Sequence, residues 1–276
     1  MQIEHDQLQR FIFEKNAVRG EIIRLNGSYQ TALSNHYYPD AIGNLLGQSL
    51  AAVALLSATI KFKGQLILQT QSDGIVDPLV VQSDEQYHIR GMAKYSDDYD
   101  SLSPLLGQGL LAISLIPDDN SERYQGIVNI KENNLATSLE DYFRQSEQLN
   151  TRIWLFADGT TAAGIMLQEM PNNDLHFFEH LSILTATLTQ EEIFSLPFQN
   201  ILTRLYQTET VNLFESELVS FKCSCNIKKM ENAIKTLGQI EAEEILQGKQ
   251  VIDVTCEFCN RSYSFDKVDV ARIFNT

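Results

Sequence analysis

No cysteine precedes Cys223 in this chain of 276 residues. No disulfide framework or thiol chemistry can reside in that long first part. Glycine and proline are sparse, 14 and 6, which excludes collagen-like and low-complexity chains. Basic residues are outnumbered: 21 Lys and Arg stand against 36 Asp and Glu, a net charge of −15. Such a field repels phosphate backbones and anionic lipid, so neither nucleic acid nor a membrane surface is an expected partner. The opening MQIEHDQLQRFIF has no basic segment leading into an apolar run, so no targeting signal is expected. The most apolar helix candidate, Leu45 to Ile60, is interrupted by Gly47, Gln48, Ser49 and Ser57. At about 16 residues it is too short to span a bilayer. It reads as a buried core helix of a cytoplasmic protein. No G-x-x-x-x-G-K-[ST] occurs, so nothing in the sequence argues for an ATPase.

What is present is an ordinary globular composition, 43% hydrophobic and 21% charged, long enough for about two domains. The charge is uneven. Residues 221–276 hold eight Lys/Arg and eight Asp/Glu, so the whole excess of acid lies on residues 1–220. The reading is an α+β protein in three parts. Residues 1–175 form a mixed sheet and helix domain, 176–220 a helical linker, and 221–276 a small metal-binding domain.

Alternating or continuous apolar runs predict strands at Ala17–Leu25, Gln65–Gln71, Leu79–Gln82, Tyr87–Tyr95, Leu110–Ile116, Gln125–Ile130, Thr151–Phe156 and Gly164–Met170. Helices are expected at Asp40–Lys61 and Ser138–Gln145, with Ser138 as the N-cap of the second. Residues 176–220 lack glycine and read as helical throughout. There Thr189 and Glu192 form a capping-box pattern, and Phe198, Ile201, Leu202 and Leu205 form an apolar stripe. Short helices have little stability of their own, so these must dock on something. In the last part a helix is expected at Lys228–Leu237 and a hairpin from Gln250–Thr255 and Arg261–Phe265.

The four cysteines come in two tight pairs. Cys223-Ser-Cys225 and Cys256-Glu-Phe-Cys259 are separated by the segment 226–255. None of the five histidines falls among them. Four thiolates complete a tetrahedral zinc shell with no open position, which argues against a catalytic metal. Three uses of the cysteines stay open: a structural zinc ribbon, a thioredoxin-like dithiol, and a zinc-held redox switch. The C-x-C pair favours the switch, because a disulfide between such close neighbours is strained and easily reduced. The segment 221–276 is too short for more than a thin core and would depend on its metal for folding.

Other motifs carry less. His176-Phe-Phe-Glu179-His180 matches H-x-x-E-H but has no evident third ligand or cleft, and a plain helix start explains it. Gly47-Gln-Ser49-Leu-Ala51 resembles a nucleophile elbow only loosely, and small residues in a packed helix explain it. Gly107-Gln-Gly109 is too short for a dinucleotide fingerprint, and Ser146-Glu-Gln148 and Trp154 have no catalytic partner in view.

Taken together the chain resembles the heat-shock protein 33 family, the redox-regulated chaperonins of bacteria. The resemblance rests on Phe221-Lys-Cys-Ser-Cys225, Leu237-Gly238, Cys256-Glu-Phe-Cys-Asn260 and Tyr263-Ser-Phe265-Asp266. It extends to Arg19-Gly20, Leu45-Leu46-Gly47, Arg90-Gly91, Gly107-Gln-Gly-Leu110, Tyr142–Gln148, and Leu167-Gln168 with Met170-Pro171. Asn150 and Gln108 depart from the family pattern in loops away from the cysteines.

The resemblance implies an ATP-independent holdase and not an enzyme. It implies one zinc per chain on Cys223, Cys225, Cys256 and Cys259 when reduced. On oxidation it implies disulfides Cys223–Cys225 and Cys256–Cys259, unfolding of the C-terminal module and linker, capture of unfolding client proteins, and a homodimer. Two alternatives stand beside it: a constitutive zinc-ribbon interaction module, and a thiol–disulfide enzyme. If the switch is present, Cys256 and Cys259 are expected to oxidise first, since C-x-x-C closes the less strained ring.

Overall fold

The computed structural model describes residues 6–14, 17–60, 63–96, 103–119, 121–131, 133–171 and 175–275. The chain divides into two compact units, residues 1–222 and 223–276.

The larger unit is built on two sheets. The first has strand order β10-β1-β2-β9-β8, with β11 also on β1; the second has order β12-β5-β4-β3-β6-β7. In the first sheet, β1 (Gln7–Phe13), β2 (Val18–Leu25), β8 (Thr151–Ala157) and β9 (Ala162–Glu169) are joined by β10 (Val211–Leu213) and β11 (Glu217–Leu218). The second contains β3 (Gly64–Ser72), β4 (Val76–Asp84), β5 (His88–Tyr95), β6 (Gly109–Pro117), β7 (Tyr124–Asn129) and β12 (Ser220–Phe221). All pairings are antiparallel except β12 on β5.

Helix α2 (Asp40–Thr59) packs against strands of both sheets and is the centre of the main core. Its apolar residues lie on every side, as a helix between two layers requires. Short α1 (Gly27–Ser34) sets Tyr29 against it. A Cβ at Gly47 would come within 2.7 Å of the Tyr29 ring, and the Tyr29 hydroxyl donates to Gly43 O at 2.8 Å. The small residues that loosely resembled a nucleophile elbow are therefore a close-packing site. At 20 residues the helix is longer than its apolar stretch suggested, and long enough to cross a bilayer. Its most apolar window is 78% buried inside the fold, as befits a core helix. It ends at Thr59; the expected last residue, Lys61, lies outside the described residues.

Several expectations need correction. Helix α3 (Leu135–Tyr142) starts early: Asn134 is its cap, accepting from Thr137 N at 3.1 Å. Ser138 instead donates to Asn134 O and accepts from Lys131 N. The helix widens into a π-turn at Phe143–Glu147, ending on left-handed Gln148. The 176–220 stretch is not helical throughout. After α4 (Leu175–Thr185), α5 (Gln190–Ser195) and α6 (Phe198–Leu205), residues 211–218 make β10 and β11 on β1, and Ser220–Phe221 makes β12 on β5. Strands of two or three residues are too short to show a period.

The far face of the first sheet carries a second core. Phe11, Phe13, Val18, Ile22, Ile165 and Leu167 meet Phe178, Leu181, Ile193, Phe198, Ile201, Leu202, Leu205 and Tyr206. The expected stripe at Phe198, Ile201, Leu202 and Leu205 is wholly buried there. Both halves of the Thr189/Glu192 capping box form. Beneath α5 and α6, Arg24 of β2 is fully buried.

The smaller unit has α7 (Ile227–Leu237), α8 (Gln239–Gly248), the hairpin β13 (Val251–Thr255) and β14 (Ser262–Asp266), and α9 (Lys267–Phe274). Among the described residues its buried apolar core is Ile234, Ala242, Ile252, Phe265, Val270 and Ile273.

Candidate metal centre

The hairpin sets the first pair of sulfurs. Thr255 pairs with Ser262, and Cys256 N donates to Arg261 O at 2.9 Å, extending the ladder by one step. The chain then turns so tightly that Asn260 N donates back to Cys256 O at 2.8 Å, with Asn260 in the left-handed region at φ 54°. Asparagine is among the few side chains that adopt it readily. The turn brings the Cys256 and Cys259 side chains together.

The second pair precedes α7. Asn226 caps that helix by accepting from Lys229 N at 3.0 Å, which fixes the chain just after Cys225. Lys229 Nζ donates to Ser224 Oγ at 2.8 Å and holds the residue between the two cysteines.

The four sulfurs come from segments far apart in sequence, yet all lie within 4.8 Å of one another. Cys223 Sγ is 3.6 Å from Cys256 Sγ, and Cys225 Sγ is 3.5 Å from Cys259 Sγ. All four are free thiols. A tetrahedron with metal–sulfur bonds of about 2.3 Å has sulfur–sulfur edges of about 3.8 Å, so the spacing fits a four-thiolate metal centre. Both of these contacts run between the motifs.

Electrostatics point the same way. Burial pushes the Cys256 thiol up, against opposing hydrogen bonds from the Phe258 and Cys259 backbones. Burial likewise pushes Cys259 up to about 12, despite a backbone hydrogen bond from Arg261. Four sulfurs this close cannot all be thiolates without a cation among them.

Two residues that the spacing argument missed stand beside the centre. Tyr263 of β14 donates its hydroxyl to Cys225 Sγ at 3.3 Å. Arg261 lies beside Tyr263, and the Cys225 and Cys259 sulfurs favour its charged form. Hairpin alternation could have flagged Tyr263, since it shares a strand parity with Arg261 just past the C-x-x-C turn.

The discounted motifs belong to the larger unit. His176, Glu179 and His180 are exposed on α4 of the larger unit. The metal-capable group among the described residues is the four cysteines alone.

A family model described as Hsp33 protein matches residues 6–266. A 33 kDa chaperonin of Shewanella frigidimarina is 47% identical over 280 residues, covering 99% of this chain and 97% of the relative. A 33 kDa chaperonin of Nitrosococcus oceani is 46% identical, covering 98% and 94%. The crystal structure of a 33 kDa chaperonin (heat shock protein 33 homolog) of Thermotoga maritima superposes with a TM-score of 0.85 over 98% of both chains. At 20% identity it speaks for the fold.

Proposed function

The chain belongs to the Hsp33 family of chaperones, and from that premise we propose that it is an ATP-independent holdase switched on by oxidation of Cys223, Cys225, Cys256 and Cys259. The observation that carries this reading is the convergence of four free sulfurs, from two distant segments, within 4.8 Å. The apolar core of the smaller unit is thin.

The donor set suits zinc, one per chain: four sulfur ligands at tetrahedral spacing. When bound, zinc supplies the positive charge that keeps the sulfurs deprotonated and ties the two segments together. The thiolates are also what an oxidant attacks. Two thiolates, one hydrogen peroxide and two protons give one disulfide and two waters; two peroxides convert all four cysteines. The proposed bonds are Cys223–Cys225 and Cys256–Cys259, the pairs within each motif. The short contacts between motifs are consistent with a tetrahedral cluster, whose edges are all similar and do not select a pairing. Disulfide formation removes the four thiolates and with them the tie between the segments. A core this small would not hold residues 223–276 folded without it.

Residues 176–220 are proposed as the metastable linker. Their buried stripe on β1, β2 and β9 is the apolar surface that release would expose, together with the sheet face beneath it. Unfolding client proteins are the proposed partners, and the oxidised chain is proposed to act as a homodimer in the cytoplasm.

The test is light scattering from a thermally unfolding client, with reduced and peroxide-treated protein and no nucleotide. Suppression by the oxidised form alone supports the switch. Equal suppression by both forms would favour a constitutive chaperone or interaction module, and catalytic turnover of dithiol substrates would favour an enzyme.

A further inference from the structure

The four sulfurs do not have the same surroundings. Cys256 is buried, and its sulfur faces the backbone N–H groups of Phe258 and Cys259; Cys259 is met by the backbone of Arg261. These contacts belong to the turn that carries the two cysteines. Cys225 differs. Its hydrogen bond comes from a side chain on another element: Tyr263 Oη on β14 donates to Cys225 Sγ at 3.3 Å. The Tyr263 ring is half-buried and faces the small core, and Val254 stands opposite it in the hairpin. Ring and hydroxyl therefore have separate jobs: the ring packs, and the hydroxyl reaches the sulfur.

We infer that Tyr263 is a positioning residue that shields Cys225 from oxidants for as long as the β13–β14 hairpin is folded. A sulfur attacks peroxide with a lone pair. The S–O bond forms, the O–O bond breaks, and hydroxide leaves and takes up a proton, so sulfur is oxidised and peroxide reduced. A hydrogen bond donated to the sulfur draws charge from that lone pair and occupies one approach to it, and so slows the attack. Outer-shell donors of this kind also fix ligand direction.

The geometry gives the shield a condition. Tyr263 lies just beyond Cys259, while Cys225 belongs to the other pair, so the bond spans the two cysteine segments. Loss of hairpin order removes the donor from Cys225 without any change at Cys225 itself. Oxidation at the Cys256/Cys259 turn, which begins where the hairpin ladder ends, would then unmask Cys225 second. This inference rests on the redox reading above and adds a residue that orders its steps.

The experiment uses the full chain, reduced and zinc-loaded, treated briefly with N-ethylmaleimide or peroxide, with each cysteine quantified separately by mass spectrometry. Tyr263→Phe removes the hydroxyl and keeps the ring. It should speed modification of Cys225 about fivefold and leave Cys256 unchanged, the loss of roughly one hydrogen bond. In the cobalt-substituted protein the same change should shift the sulfur-to-metal charge-transfer band. Placing 4-aminophenylalanine at 263, which restores a donor at the ring's tip, should return both readouts toward the original. Equal rates at Cys225 in the Tyr263→Phe and original chains would overturn the inference. So would equal acceleration at all four cysteines, which marks general loosening. If Tyr263→Phe does not fold, the same rates are read with 2,3-difluorotyrosine at 263, a stronger donor of the same shape, and a Cys225 rate that this change leaves unaltered overturns the inference. Neither result touches the redox reading, which fails separately if peroxide leaves all four thiols and the bound zinc in place.

Discussion

Arg24 on β2 donates its Nε to the carbonyl of Ile193 at 2.7 Å, across a sequence separation of 169. Its Nη2 donates to Leu196 O at 2.5 Å, and its guanidinium carbon sits 4.9 Å from the centre of the Phe198 ring. A single buried cation thus terminates α5 and supports the start of α6. Burial pushes its guanidinium down to about 10, so it stays charged at neutral pH, while Nη1 has no hydrogen-bond partner. A charge held by carbonyls and a ring, with one donor unmet, is a costly way to fasten a segment. That suits the linker proposed above to undock.

Arg24→Ala leaves the Ile193 and Leu196 carbonyls without their donor under a packed surface. We expect a loss of about 2–4 kcal/mol in docking of residues 176–205. Limited proteolysis should then cut this stretch in reduced protein, and the original chain should resist. Unchanged protection would show that the apolar stripe alone fastens it.

A second buried charge lies on the opposite face of the same strand. Glu21 is 1% exposed, its Oε2 has no hydrogen-bond partner, and burial raises its carboxyl to about 7 against the pull of Arg19 and Arg10. The folded value is above the unfolded one, so Glu21 is least costly when protonated in both states, below about pH 4.5. As pH rises from there to about 7 the unfolded chain ionises and the folded one does not, and stability falls by about 3 kcal/mol. Glu21→Gln removes this dependence. Its Tm at pH 8 should exceed that of the original chain, with the gap closing toward pH 4.5. A constant gap across that range would place the effect elsewhere.

Ile201 and Leu205 are buried, 0% and 4% exposed. Ile201→Asp with Leu205→Asp should have two separable effects. In reduced protein the linker should undock, read as new cleavage between residues 176 and 213. In oxidised protein the charges should weaken client capture, read as poorer suppression of aggregation. If suppression after oxidation is unchanged, the stripe is not part of the capture surface.

Zinc removal should unfold the smaller unit and spare the sheets and central helix of the larger one. Chelation under reducing conditions is expected to unfold residues 223–276, with their small core, and to leave the larger unit's sheets intact. Hydrogen exchange resolves this directly: α7–α9 and the β13–β14 hairpin should lose protection while α2 keeps it. Protection retained in both units would mean that the small core suffices.

Much of this was legible in the sequence because the signals were strong and local. The paired cysteines marked the four sulfurs that the fold gathers, the apolar run from Leu45 marked the central helix, and Thr189 with Glu192 marked a helix start. The misses share physical causes. Helix α8 has its acids and apolar residues poorly segregated, and α9 is capped by Asp266, which ends a strand. The three strands between Val211 and Phe221 exist only because β1 and β5 offer partners. Asn134 outcompetes Ser138 as a cap through geometry that no spacing reveals. Arg24 and Glu21 alternate with apolar residues in β2, but which face is buried depends on what covers it, and both faces are covered. Tyr263 belongs to the site only because the hairpin folds back toward Cys225.

The central claim is that the four cysteines are one switch for chaperone activity. The most direct measurement is a peroxide titration in which the same samples are scored for remaining thiols, bound zinc and suppression of client aggregation. The account predicts about four thiols and one zinc per chain at the start. Suppression should rise in step with the loss of both and reverse when thiols are restored. Suppression that is full before any thiol is lost, or absent after all four are gone, would contradict it.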